Sequence, residues 1–138
     1  MKYIDSNIFI YAIIYDENEI EDARISKSIL ERVVKGEINA CTSCLTWDEA
    51  VYVVLKVLGS DDAKRAGSNI LLFPNLRIFD IDKRIIDCAS GLIEKYNLKP
   101  RDSIHAASAI QNGIKDIITN DMDFEVVEEL CTVGLNDV

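Results

Sequence analysis

Asp5, Glu49, Asp102, Asp121 and Asp123 are acids set where secondary-structure elements are expected to begin or end, far apart in the chain yet able to converge in space. Carboxylates brought close together repel one another and shift each other's pKa values, so a fold that collects several of them ordinarily supplies a hard cation to neutralise them. Mg2+ or Mn2+ is the natural candidate. Each acid also has a plainer explanation. Glu49 is the third residue after Thr46 and could close a capping box, while Asp102 and Asp123 could stabilise helix N-termini through the backbone dipole. Asp5 resists that explanation, because aspartate is depleted in strands and this one follows Tyr3 and Ile4 in a short apolar stretch.

The elements that must position these acids read as strands alternating with helices. Residues 2–5 form a first strand that runs into an apolar stretch, 7–15, with Ser6 or Asn7 as its cap. Ile20, Ala23, Ser26, Leu30 and Val33 recur at helical spacing, Glu21 completes a capping pattern with Asn18, and Gly36 is placed to end that helix. Residues 38–42 supply a second strand. In 45–58 the valines favour strand, but length and the Thr46-x-x-Glu49 start favour helix, here taken as a buried one. A helix over 60–72, weakened by Gly67 and closed by Pro74, precedes a third strand at 76–81. Asp82 caps the next helix, whose inner face carries Ile85, Ala89, Leu92 and Tyr96. Pro100 opens a helix to Asn112 whose small residues, Ala106 to Ala109, permit close approach to a sheet. A strand at 116–119, a last helix at 123–130 and an edge strand at 132–135 follow. This alternation predicts a three-layer α/β/α sandwich on a mostly parallel sheet. In such a sheet a ligand site forms beyond the carboxyl ends of the strands, where strand order reverses, and Asp5 and Asp121 both follow strands.

Bulk properties narrow the classes. The 138 residues, 49% of them hydrophobic, fit one domain spanning 1–138 with a continuous core. The apolar run at 8–14 lies between Asp5 and Asp16, too short for a membrane span and wrongly flanked for a signal peptide, which places the expected protein in the cytoplasm. Cys41, Cys44, Cys88 and Cys131 form one close pair, read as small buried side chains in preference to a zinc or redox site. A net charge of -9 runs against a nucleic-acid partner, softened if cations neutralise several acids and by the local bases Lys99 and Arg101 beside Asp102. His105, the sole histidine, falls one helical turn after Asp102 and could face the acids or the helix–sheet packing; packing or support of the site is the favoured role.

Taken together, Tyr3-Ile-Asp5-Ser-Asn7, Thr46-x-x-Glu49, Arg101-Asp-Ser-Ile-His-Ala-Ala107 and Thr119-Asn-Asp-Met-Asp-Phe124 resemble, in order and spacing, the pattern of PIN-domain ribonucleases. The likeness is closest to the VapC-type toxins of prokaryotic toxin–antitoxin modules. The resemblance implies that Asp5, Glu49, Asp102 and Asp121 are catalytic and bind one or two Mg2+ or Mn2+ ions, with Asp123 as a further acid. It implies supporting roles for Asn7 and Thr119, or for neighbouring polar residues, in positioning ligands and water. The implied reaction is hydrolysis of an RNA phosphodiester by water, leaving a 5'-phosphate and a 3'-hydroxyl. Lys99, Arg101, Lys83 and Arg84 are candidates for holding the RNA backbone, beside the plainer reading of each as solvated surface. A homodimer, helped by an apolar patch at 51–58, and a cognate antitoxin are the implied protein partners.

Two other enzyme classes fit poorly. A haloacid-dehalogenase-type phosphatase needs Asp-x-Asp after its first strand, where this chain has Asp5-Ser6-Asn7. A response-regulator receiver needs a late lysine, and none follows Lys115. The competing non-enzymatic reading is a PIN-like fold retained as an RNA- or protein-binding module without turnover.

Overall fold

Two strands that leave the sheet side by side fix the geometry of the molecule. In the computed structural model, which spans Met1–Val138, β1 (Lys2–Ile4) leads into α1 (Ser6–Ile14), α2 (Glu21–Val34), β2 (Ala40–Ser43), α3 (Cys44–Leu58), α4 (Ser60–Leu71) and β3 (Leu76–Phe79). The second half holds α5 (Lys83–Tyr96), α6 (Pro100–Gln111), β4 (Asp116–Ile118), a short 3₁₀ helix (Met122–Val126), β5 (Cys131–Val133) and a closing 3₁₀ turn (Leu135–Asp137). The strands pair in the order β3-β2-β1-β4-β5, every pair parallel. Strand order therefore reverses between β1 and β4, and the crevice beyond their carboxyl ends is where such sheets bind ligands. Ile4 pairs with Ile118, and the Asp5 N–H reaches the Ile118 carbonyl at 3.1 Å, so Asp5 and Thr119 emerge as neighbours.

Both faces of the sheet are covered, which is why the strands read as apolar runs and not as alternating patterns. Tyr3, Cys41 and Ile117 pack beneath α5 and α6, against Ile85, Ala89 and Ala106. Ile4, Ala40 and Ile118 face the opposite layer, against Ile8, Phe9, Ile29 and Ile70. The expected α/β/α sandwich is the fold found, with all of its strand pairs parallel.

Several helix ends follow the local signals. Asp82 accepts the Ile85 N–H at 3.0 Å to start α5, Pro100 opens α6, and Gly36 adopts φ +75° just past α2. Other expectations need correction. Neither Ser6 nor Asn7 caps α1, because β1 passes into the helix at Asp5 and Asp5 turns its side chain elsewhere. Asn18 does not cap α2, whose capping position is Ile20; its side chain bonds Asp16. Thr46 and Glu49 are not a capping box. Strand β2 extends to Ser43 and α3 begins at Cys44, so Thr46 lies inside the helix, 2.6 Å from the Thr42 hydroxyl, which donates to the Ile4 carbonyl. Glu49 consequently stands a turn deeper than the expected first-turn position.

Helix α3 is not buried as a whole. Thr46, Ala50 and Val54 form its inner stripe, while Trp47, Tyr52, Leu55, Val57 and Leu58 remain exposed. It packs closely on α4 at Gly67, where an added Cβ would lie 2.9 Å from the Trp47 indole nitrogen. The glycine that lowers helix propensity is thus a close-approach point. Cys41 is buried as expected, but Cys44 is exposed at the first residue of α3. The last predicted helix shrinks to Met122–Val126. Phe124 and Val127 anchor it in the core, and Tyr96 accepts the Glu128 N–H and donates to Glu129 at 2.7 Å, drawing the chain away toward β5. The edge strand starts one residue earlier than expected. No helix is long and apolar enough to cross a membrane.

Candidate metal centre

At the β1–β4 crevice the chain places all five sequence-predicted acids in one neighbourhood, in two dissimilar halves. The inner half begins with Asp5, 3% exposed, which occupies the capping position of α1 without capping it. Its Oδ2 accepts the Thr119 hydroxyl at 2.7 Å, and that hydroxyl in turn accepts the Asp121 N–H at 2.9 Å. Thr119 therefore ties the end of β1 to the loop after β4. Ser6 Oγ lies 3.3 Å from both Asp5 Oδ1 and Glu49 Oε2, able to donate to one at a time. Glu49, reaching in from α3, receives His105 Nε2 on its Oε1 at 2.6 Å; the same nitrogen is 3.8 Å from Asp5 Oδ1.

His105 is held at its other edge as well. Its Nδ1 lies 2.8 Å from the Tyr3 hydroxyl, which donates to Ser43 Oγ at 2.8 Å. With Tyr3 donating outward, its oxygen is free to accept from an Nδ1–H, an arrangement that suits a ring able to donate at both nitrogens. Burial opposes that charge, but the hydrogen bond to Glu49 and the charges of Asp5, Glu49 and Asp102 outweigh it and hold the His105 pKa above its ordinary value. Burial likewise raises the Asp5 pKa, opposed by His105 and the Thr119 hydrogen bond and reinforced by Glu49.

The outer half is differently provided. Asp102 sits in the first turn of α6, and Asp121 caps the 3₁₀ helix by accepting the Asp123 N–H at 2.9 Å. One carboxylate oxygen each from Asp102, Asp121 and Asp123 all lie within 4.8 Å of one another. Burial and the charges of Asp121, Asp5 and Asp123 push the Asp102 pKa up to about 6 against the opposing pull of His105. Lys99, the capping residue of α6, pairs with Asp123 at 3.3 Å and stays exposed on the rim. An all-oxygen donor set, crowded and short of positive charge, fits a hard divalent cation.

The family profile described as PIN domain matches residues 2–130. This chain belongs to the PIN domain family. Solved structures share the fold of this PIN domain. VapC20 of Mycobacterium tuberculosis, described as a sarcin-ricin-loop-cleaving toxin, is 15% identical with a TM-score of 0.75, over 93% of this chain and 95% of that one. A toxin–antitoxin complex from Klebsiella pneumoniae is 23% identical with a TM-score of 0.67, over 96% and 97%. VapBC2 from Rickettsia felis, bound to a DNA fragment from its promoter, is 23% identical with a TM-score of 0.67, over 97% and 98%. Among curated proteins no match was found.

Within this PIN domain, Thr119 joins the acids directly, whereas Asn7 is half-buried on α1 and the Ser6 hydroxyl is the one that lies between Asp5 and Glu49. Lys99 stands at the rim through its Asp123 pair, and Arg101 is exposed beside Asp102. Lys83 is engaged with Asp87 at 2.7 Å. Sequence reasoning missed Ser6, Tyr3 and Ser43. Ser6 and Tyr3 lie within the Tyr3-to-Asn7 motif, but nothing in the spacing of Ser43 announces its tie to Tyr3.

Proposed function

We propose that the protein is a divalent-metal-dependent endoribonuclease of the VapC type, the toxin of a toxin–antitoxin pair. The observation that carries this reading is the meeting of Asp102, Asp121 and Asp123 within 4.8 Å beside Asp5 and Glu49 at the strand-order reversal. Its kinship with PIN domains and its fold likeness to VapC and VapBC structures support the reading.

Asp102, Asp121 and Asp123 would hold the cation, with Asp5 and Glu49 as further ligands from the inner wall. Once bound, Mg2+ or Mn2+ supplies Lewis acidity at the scissile phosphate and lowers the pKa of water for an in-line displacement. The protein's own share is orientation. Thr119 keeps Asp5 fixed, and Glu49 Oε2, with only a long Ser6 contact, retains capacity to accept a hydrogen bond from the attacking water. No serine or cysteine nucleophile is needed. Lys99 and Arg101 on the rim would meet the RNA backbone, and with a net charge of -9 the rest of the surface repels phosphate. Binding should then be weak and salt-sensitive, and RNA selection should rest on shape or a few exposed bases.

The exposed apolar residues Tyr52, Leu55, Val57 and Leu58 of α3 favour pairing of two copies through this helix. Light scattering at micromolar concentration should show a dimer; a monomer alone ends that part of the reading. An antitoxin would cover the carboxylate crevice with a basic side chain. The direct test is cleavage of a panel of single-stranded RNAs with Mg2+ or Mn2+. The wild type should cut and chelation should stop it, whereas silence across the panel would favour a binding module.

A further inference from the structure

The buried line Ser43–Tyr3–His105–Glu49 has no counterpart on the outer side of the site, and its members come from four elements: β2, β1, α6 and α3. Tyr3, Ser43 and His105 are at most 1% exposed. Polar groups so deep are tolerated when every member is satisfied, and an apolar trio of similar volume would pack the sheet against α6 without that demand. The line ends on a carboxylate of the metal centre.

Resting on the nuclease reading, we propose that His105 is a positioning residue whose ring, locked by Tyr3 and Ser43, sets the Glu49 carboxylate in the orientation that receives the divalent cation. A glutamate on a helix has three side-chain torsions to fix, whereas the aspartates have two. Glu49 is also the one acid of the five delivered from the middle of a helix, and its long arm is fixed by contacts at both oxygens: His105 at 2.6 Å on Oε1 and Ser6 at 3.3 Å on Oε2. The ring cannot swing to Asp5, 3.8 Å away, because Tyr3 holds Nδ1 at 2.8 Å. A carboxylate oxygen has more than one lone-pair direction, so the His105 bond leaves Glu49 capacity for a cation or its water. Partners of metal ligands act in this way, orienting the ligand without touching the ion.

The test is Mn2+ affinity, read by calorimetry at one pH on the full chain without RNA. His105→Leu should weaken Mn2+ binding about 10- to 100-fold, the usual cost of losing a ligand's supporting partner. His105→Gln can present a donor near the place of Nε2 and should restore most of the affinity; Tyr3→Phe, which frees the ring but leaves it present, should cost less than His105→Leu. In RNA cleavage, the variants should need more Mn2+ and recover kcat when it is saturating. A double-mutant cycle separates positioning from simple packing: in a Glu49→Gln background neither His105→Leu nor Tyr3→Phe should change Mn2+ affinity further. Should His105→Leu fail to fold, Tyr3→Phe carries the same cycle. Wild-type Mn2+ affinity in folded His105→Leu and Tyr3→Phe, or effects that simply add to that of Glu49→Gln, overturns the proposal. Asp102→Asn keeps the two claims apart. If it loses Mn2+ while the His105 variants do not, only the positioning role fails; if wild type and Asp102→Asn bind Mn2+ alike, the nuclease reading fails and takes this role with it.

Discussion

The inner and outer halves of the carboxylate site solve the same electrostatic problem in opposite ways. Around Asp5 and Glu49 the protein supplies its own compensation: the Thr119 hydroxyl, and a histidine with both ring nitrogens engaged. Around Asp102, Asp121 and Asp123 it supplies almost none, apart from an exposed lysine that pairs with one of the three. The first half is therefore a largely self-compensated polar core, and the second carries a charge deficit. Preorganised groups hold geometry, while uncompensated ones supply affinity.

Breaking either half should abolish cleavage, and this is the largest effect expected. Asp5→Asn and Asp102→Asn should each lower RNA cleavage on the order of 1,000-fold, the rate equivalent of losing several kcal/mol of transition-state charge stabilisation. Stability offers a second readout at Asp102. The folded protein raises the Asp102 pKa to about 6, which means the ionised form is disfavoured by folding. Asp102→Asn should therefore raise the melting temperature of the metal-free protein by a few degrees, as removal of a repelling charge does. An unchanged or lower melting temperature would contradict the charge deficit assigned to the outer half.

Acid sharpens the same contrast. Protons compete with the cation for Asp102, so Mn2+ affinity, measured by calorimetry, should fall as pH drops through about 6. Stability of the metal-free protein should move the other way. Asp102, Asp5 and His105 all have raised pKa values, so the native state retains protons that the unfolded chain releases. For His105 the contribution is full below the ordinary histidine range and lost as pH rises through its higher folded value. For the two aspartates, stability declines as pH climbs from the ordinary carboxylate range, for Asp102 through about 6. Denaturant melts without metal should thus show greater stability at pH 5 than at pH 8, and Mg2+ should restore stability at the higher pH.

A smaller effect is expected at Thr119. Thr119→Val keeps the shape but leaves Asp5 Oδ2 and the Asp121 N–H without their shared partner, at a cost of about 1–3 kcal/mol in chemical denaturation. Cleavage should fall less than in Asp5→Asn. Least of all should Gly67→Ala matter to the site: the Trp47 contact predicts about 1–3 kcal/mol of overpacking, with Mn2+ affinity unchanged.

The placement of the outer acids was legible from local sequence, although Asp5 was the acid that resisted a plainer explanation. Asp102 follows Pro100 at a helix start and Asp121 and Asp123 follow a short apolar strand, so local rules placed these acids near strand and helix ends. Gly36 and Asp82 marked helix boundaries for the same reason, since each acts through backbone a few residues away. The inner half depends on partners 40 to 114 residues apart: Tyr3 with Ser43, Tyr3 with His105, Asp5 with Thr119. No periodicity encodes such pairs. Helix α3 misled in a related way. Its aliphatic run looked uniformly apolar, and only the placement of the sheet decided that Ala50 and Val54 turn inward while Leu55 and Val57 do not. The final predicted helix failed because Tyr96, on another element, captures the backbone at Glu128.

The parallel pairing of β1 with β4 joins residue 5 to residue 119. As the chain emerges from a ribosome, the crevice cannot close until β4 and the acids after it have been made. Every nascent fragment that stops short of residue 119 carries Asp5 without Thr119, Asp121 or Asp123. On the nuclease reading, chains that stop short of residue 119 should therefore cut no RNA.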